Sequence, residues 1–326
     1  MTPMSHQFSR SRPLATSAAV VTLLAGVASA CQSPDRVPPG EVRGPAASPP
    51  SSTVSPGTDT GSGSVRVVTF GDIACEPGVP TTPVQCQDLA TADLATSLRP
   101  DAVVALGDLQ YESGNLEDFS ARWSRTWGRF DDIVLPVPGN HEYGTDAAAG
   151  YVSYFDTGPY YAHDLGAWRV YLLDSNCDRI DCEQEAAWLT EDLTAHPSTC
   201  TAIAMHHPRW SSSTVHGSQE QVDVLWKAAV DGGVDLSLAG HDHDYERFAP
   251  LDADGGPTDT EPAATHFVVG TGGRSFYQVG DPRTGSAFAA EDVFGVLELT
   301  LDSTSFGWRF VDIQGDVLDQ GDRACT

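Results

Sequence analysis

D-A-V-V-A-L-G-D-L-Q-Y (Asp101–Tyr111) is the stretch whose reading decides the fold. Ala102–Leu106 is apolar throughout and of strand length, and it ends in a glycine that hands Asp108 to the following loop, with Tyr111 three positions on. In open α/β sheets, ligands collect just beyond the carboxyl ends of strands. One Gly-Asp has a purely local explanation, because aspartate also caps helices and opens turns. The same arrangement recurs along the chain, and the recurrence carries the argument.

Val65–Phe70 ends in Gly71-Asp72, and Ile133–Pro136 runs into Pro138-Gly139-Asn140-His141-Glu142. Thr201–Met205 ends in His206-His207-Pro208, and Leu236–Ala239 in Gly240-His241-Asp242-His243. Val170–Asp174 is a further run of strand length. Between these, Leu89–Leu98, Leu116–Trp127, Gln184–Leu193 and Gln219–Val230 have helical length and apolar spacing, with Ser218 as N-cap of the last. After Gly240, His266–Gly270, Val293–Leu301 and Phe306–Ile313 read as consecutive strands of an antiparallel part. Two packed sheets with helices outside follow from this order. Each strand end delivers an oxygen or imidazole donor to one sheet edge, a set suited to borderline divalent metals and ferric iron. About seven such donors exceed what one metal needs, whereas two metals sharing a carboxylate use them well.

The ordered blocks G-D-I-A (71–74), G-D-L-Q-Y (107–111), G-N-H-E (139–142), I-A-M-H (203–206) and G-H-D-H (240–243) resemble the signature of the calcineurin-like metallophosphoesterases. Two details make the resemblance specifically one to purple acid phosphatases. Ala74 stands where most of the superfamily has histidine, and the second block adds Tyr111. The resemblance implies an α/β (α+β) fold, a four-layer α/β/β/α sandwich of two mixed sheets, with a dinuclear metal site at the strand ends. It implies Fe(III) held by Asp72, Asp108, Tyr111 and His243, and a divalent ion (Zn, Mn or Fe) held by Asp108, Asn140, His206 and His241, with Asp108 bridging. His141 resembles the family histidine that contacts phosphate or protonates the leaving group, and His216 stands where relatives carry another substrate-facing histidine. His207 is expected only to hydrogen-bond around the ligands. The implied activity is hydrolysis of a small-molecule phosphomonoester by a metal-activated water. A phosphodiesterase on the same fold, and a non-catalytic surface lipoprotein binding metal or phosphate, are the competing readings.

The remainder of the chain sets the context. Residues 1–30, with Arg10 and Arg12 ahead of an apolar run that ends Ala28-Ser29-Ala30, read as an export signal. Cys31 directly after it also resembles a bacterial lipoprotein processing site, which would attach the chain to a membrane. The exported protein is then extracellular or at the cell surface. Residues 31–64 are rich in Pro, Gly, Ser and Thr without apolar periodicity and read as a disordered linker, leaving 65–326 as a single catalytic domain. With a formal net charge of −27 and Lys227 the only lysine, the surface repels nucleic acid and anionic lipid. Setting Cys31 aside leaves six cysteines, an even number that favours disulfides in an exported chain. Short separations suggest Cys75–Cys86 and Cys177–Cys182, leaving Cys200–Cys325, although six cysteines allow fifteen connectivities.

Overall fold

The computed structural model describes residues 63–326; the expected export signal, Cys31 and the linker up to residue 62 lie outside the described residues. Strands β1 (Val65–Phe70), β2 (Ala102–Leu106) and β3 (Val134–Val137) run parallel in a six-stranded sheet. On the other side of β1 lie β11 (Gly295–Leu301), β12 (Ser305–Asp312) and β13 (Val317–Ala324), all antiparallel, giving the order β13-β12-β11-β1-β2-β3. The second sheet comprises β4 (Tyr161–Leu165), β5 (Trp168–Leu172), β6 (Cys200–Ala204), β7 (Leu236–Ala239), β8 (Tyr245–Phe248), β9 (Thr265–Val269) and β10 (Ser286–Ala290). Its order is β10-β8-β9-β7-β6-β5-β4, and both sheets are mixed.

Alternation along the strands sorts their side chains into layers. Val67, Val104 and Leu297 of the first sheet meet Leu172, Ala204 and Phe267 of the second in a shared core. Val68, Phe70 and Val103 point the other way, onto α1 (Asp88–Leu98), α2 (Leu116–Ala121) and the 3₁₀ turn after it, whose residues in this layer include Ala92, Phe119 and Trp123 respectively. Ile203 and Met205 face outward onto α4 (Cys182–Ala195) and α5 (Asp223–Asp231) through Leu189 and Leu225. Each Val, Leu, Ile, Phe or Met side chain buried this way stabilises the fold by about 1.5–3 kcal/mol. A short helix, α3 (Ala149–Phe155), completes the layer over the first sheet. Among the described residues no helix is long and apolar enough to cross a membrane.

Several expectations need correction. The helix over Leu116–Trp127 stops at Ala121 and continues as short 3₁₀ turns, because the Gln110 side chain takes the Trp123 N–H that a longer helix would use internally. Ser218 does not cap α5; its hydroxyl bonds both the N–H and the C=O of Ser211. The run at His266–Gly270 is β9, which pairs parallel with β7 and antiparallel with β8 rather than belonging to a wholly antiparallel part. Disulfides join Cys75–Cys86, Cys177–Cys182 and Cys200–Cys325.

Candidate metal centre

Two cross-sheet hydrogen bonds bring the carboxyl-end edges of the sheets together. Gly71 N–H, after β1, donates to Val269 C=O of β9 at 2.8 Å, and His206 Nδ1–H, after β6, donates to Leu106 C=O of β2 at 2.8 Å. The chain turns sharply where it leaves these strands. Asp72, Asp108 and His241 all adopt positive φ (63°, 49° and 70°), a left-handed conformation costly for residues with a Cβ. Gly139 permits a close approach, since a Cβ there would lie 2.2 Å from Asp108 Oδ1. Beneath these turns sits Glu142, wholly buried, whose carboxylate accepts the N–H groups of Asp108, Leu109, Gln110 and Gly139 at 2.7–3.2 Å. It ties the turn after β2 to the turn after β3. Burial, with the nearby Asp108 charge, pushes the Glu142 carboxyl up to about 7.

Around Tyr111 Oη, Asp72 Oδ1, Asp108 Oδ2 and His243 Nε2 all stand at 3.1 Å. A phenol has one proton and cannot satisfy three acceptors. Next to it, His206 Nε2 lies 3.1 Å from Asn140 Oδ1, 3.1 Å from His241 Nδ1 and 3.4 Å from Asp108 Oδ2. With Nδ1–H given to Leu106, the Nε2 of a neutral His206 is itself an acceptor facing the Asn140 and Asp108 oxygens. A bound metal ion, or a proton on Nε2, reconciles that contact. Burial alone would lower the His206 pKa, but the Asp108 charge beside it raises it to about 10. Burial would raise the Asp108 carboxyl, yet His206, His141 and His241 hold it well below the usual carboxylate range. Burial and the Asp108 and Asp72 charges drive the Tyr111 phenol well above its ordinary value, a preference that a multiply charged ion inverts. The donors of Asp72, Asp108 and His206 fall within 4.8 Å of one another, as do those of His206, His207 and His241. This nitrogen and oxygen set fits the expected iron, zinc or manganese.

All seven residues expected as ligands therefore meet at one edge. His141 stands beside them: its N–H donates to Asp108 Oδ1 at 2.9 Å, Nδ1 lies 2.6 Å from Glu112 C=O, and its ring packs against Tyr111. Exposed His216 stacks on the His241 ring at 4.1 Å. His207 Nδ1 lies 2.9 Å from Ser175 Oγ, and burial, followed by the charge of His206, pushes its pKa down to about 3. The sequence reading gave no role to Glu142, although it stands inside a quoted block, and passed over Ser275, whose hydroxyl meets His243 Nδ1 at 2.9 Å.

The profile of the calcineurin-like phosphoesterase family matches residues 65–245. Purple acid phosphatase 23 of Arabidopsis thaliana is 30% identical over 160 residues, covering 40% of this chain and 34% of that protein. Acid phosphatase A of Cryphonectria parasitica is 28% identical over 151 residues, covering 42% of this chain and 29% of the relative. The matches thus span about a third of the length of these curated relatives. Among solved structures, purple acid phosphatase PPD1 from yellow lupin (Lupinus luteus) seeds superposes with a TM-score of 0.66 at 19% identity, over 81% of this chain and 54% of that one, a likeness of fold.

Proposed function

Since the chain belongs to the calcineurin-like phosphoesterase family, we propose that it is an exported phosphomonoesterase of the purple acid phosphatase type. The observation that carries this reading is the meeting of Asp72, Asp108 and His243 at 3.1 Å around one phenol oxygen. A tyrosine in that position suits a ferric ion.

In this reading Asp72, Tyr111 and His243 hold Fe(III), Asn140, His206 and His241 hold a divalent ion (Zn, Mn or Fe), and Asp108 serves both through its carboxylate. Bound there, the two ions supply positive charge against the phosphoryl oxygens and lower the pKa of water. The side chains do the rest. With Nδ1–H engaged by the Glu112 carbonyl, His141 turns Nε2 toward the site, where it can carry a proton to the departing oxygen. Asp108 Oδ1 holds the His141 backbone in place. His216, stacked on His241 at the exposed mouth, steadies the phosphate oxygens. Three disulfides suit an oxidising compartment and agree with the export signal read in residues 1–30; Cys31 is the proposed lipid-attachment point.

The test is hydrolysis of an aryl phosphate monoester and its matched diester by the iron- and zinc-loaded chain, with Asn140→Ala as control. Monoester preference lost in the variant is the expected result. Diester preference would move the function to phosphodiesterase, and binding of metal without turnover would leave the surface-binding reading.

A further inference from the structure

The segment Gly272–Tyr277 belongs to none of the five motif blocks, yet it touches three residues of the tyrosine-side ligand set. The Gly272 and Arg274 N–H groups donate to the carbonyls of Gly71 and Asp72, each at 2.9 Å. The Arg274 guanidinium lies over the Tyr111 ring at 4.9 Å and pairs with Glu112. Ser275 Oγ meets His243 Nδ1 at 2.9 Å, and Tyr277 N–H donates to His243 C=O at 3.0 Å. The Tyr277 ring then stacks on the His243 imidazole with centroids 3.9 Å apart and planes 5° from parallel.

The segment is itself anchored from behind. Thr91 Oγ1, at the start of α1, donates to Gly272 C=O at 2.7 Å, and the N–H groups of Cys86 and Gln87 donate to Arg274 and Gly273 C=O at 3.3 and 2.9 Å. Cys86 is fixed by its disulfide to Cys75, and the Phe276 ring packs on Phe294 at 4.2 Å. Among the described residues, no hydrogen bond from this segment reaches Asn140, His206 or His241.

From this asymmetry we propose that Gly272–Tyr277 is a strap that sets the metal affinity of the Asp72–Tyr111–His243 half alone, with Ser275 and Tyr277 as positioning residues for His243. Accepting a hydrogen bond from Nδ1–H, the Ser275 hydroxyl selects the tautomer that leaves Nε2, 3.1 Å from Tyr111 Oη, free to ligate. Tyr277 fixes the plane of the same ring. The proposal rests on the ligand set of the proposed function.

The experiment loads the full chain with ferric iron and zinc and measures each metal retained per chain, by elemental analysis, along a chelator titration. Removing an outer partner of a ligating histidine typically weakens metal binding by about 10–100-fold. Ser275→Ala should therefore weaken iron retention by about that factor while zinc is held as in wild type, and Ser275→Thr should restore it. Tyr277→Leu, which leaves the Nδ1 partner in place, should weaken the same ion and decides the matter if Ser275→Ala does not fold. Iron held as tightly as in wild type by both variants, or iron and zinc lost in parallel, overturns the strap alone. A wild type that retains no metal overturns the ligand set, and the strap with it.

Discussion

His141 meets its surroundings through three different groups: its N–H on Asp108, its Nδ1 on the Glu112 carbonyl, and its ring on Tyr111. Only Nε2 remains for chemistry, so His141→Ala should lower kcat by about 10²–10⁴-fold while metal content stays at the wild-type level. Metal loss in that variant would instead mark the residue as structural. Gly139 makes the opposite kind of prediction. A methyl group there would meet Asp108 at 2.2 Å, so Gly139→Ala should displace the shared carboxylate, and both metals should be lost together in elemental analysis. At this scale the residues that meet at the sheet edge were legible, because a polar side chain at a strand end announces itself by following an apolar run, most often with a glycine. Ser275 was not legible. It lies 32 residues beyond His243 in a stretch with no period, and only the tertiary fold brings its hydroxyl to the imidazole.

Between elements, Glu142 joins the turns after β2 and β3. Glu142→Gln replaces one carboxylate oxygen by an amino group and leaves two of the four N–H donors without an acceptor. At about 1–3 kcal/mol for each buried group left unsatisfied, the loss should be roughly 2–6 kcal/mol in denaturant unfolding of the metal-free chain. A variant as stable as wild type would remove Glu142 from its role. The same scale explains which strands sequence could find. β1, β2 and β7 begin and end where their largely apolar runs do, since neighbours on both sides bury most of their side chains; Arg66, Thr69 and Ser237 are the polar members. β4, β10 and β13 are edge strands and tolerate polar residues, as in Val317–Ala324 with Asp319, Asp322 and Arg323. β8, Tyr-Glu-Arg-Phe, was hidden by buried polarity: Glu246 accepts from the hydroxyls of Ser212 and Ser286, and Arg247 reaches Asp319.

Across the whole molecule, one polar knot and one disulfide join parts distant in sequence. Asp319 of β13 accepts from Tyr245 at 2.8 Å and Arg247 at 2.7 Å on the opposite sheet, and from Trp308 at 3.1 Å. Burial alone would raise its carboxyl, but Arg247 and Tyr245 hold it below the usual value. A depressed carboxyl contributes stability that is present above its unfolded value and lost as pH falls through the folded one. Asp319→Ala should therefore cost about 2–3 kcal/mol at neutral pH, less than a fully dry ion pair because the Arg247 side chain is 18% exposed, and the difference should shrink below about pH 4. A cost independent of pH would show that the charge is not what matters. The Cys200–Cys325 bridge spans 125 residues and fastens the chain end beyond β13 to β6; replacing both cysteines by serine should cost about 4–5 kcal/mol in thermal unfolding.

The account turns on a two-metal centre built around Tyr111, and the most direct measurement is the metal content and visible absorption of the purified full chain beside Tyr111→Phe. The account predicts two metal ions per chain, one of them iron, and a visible charge-transfer band that Tyr111→Phe removes without unfolding the protein. A colourless wild type fully loaded with iron, or a band unchanged by the substitution, would contradict it.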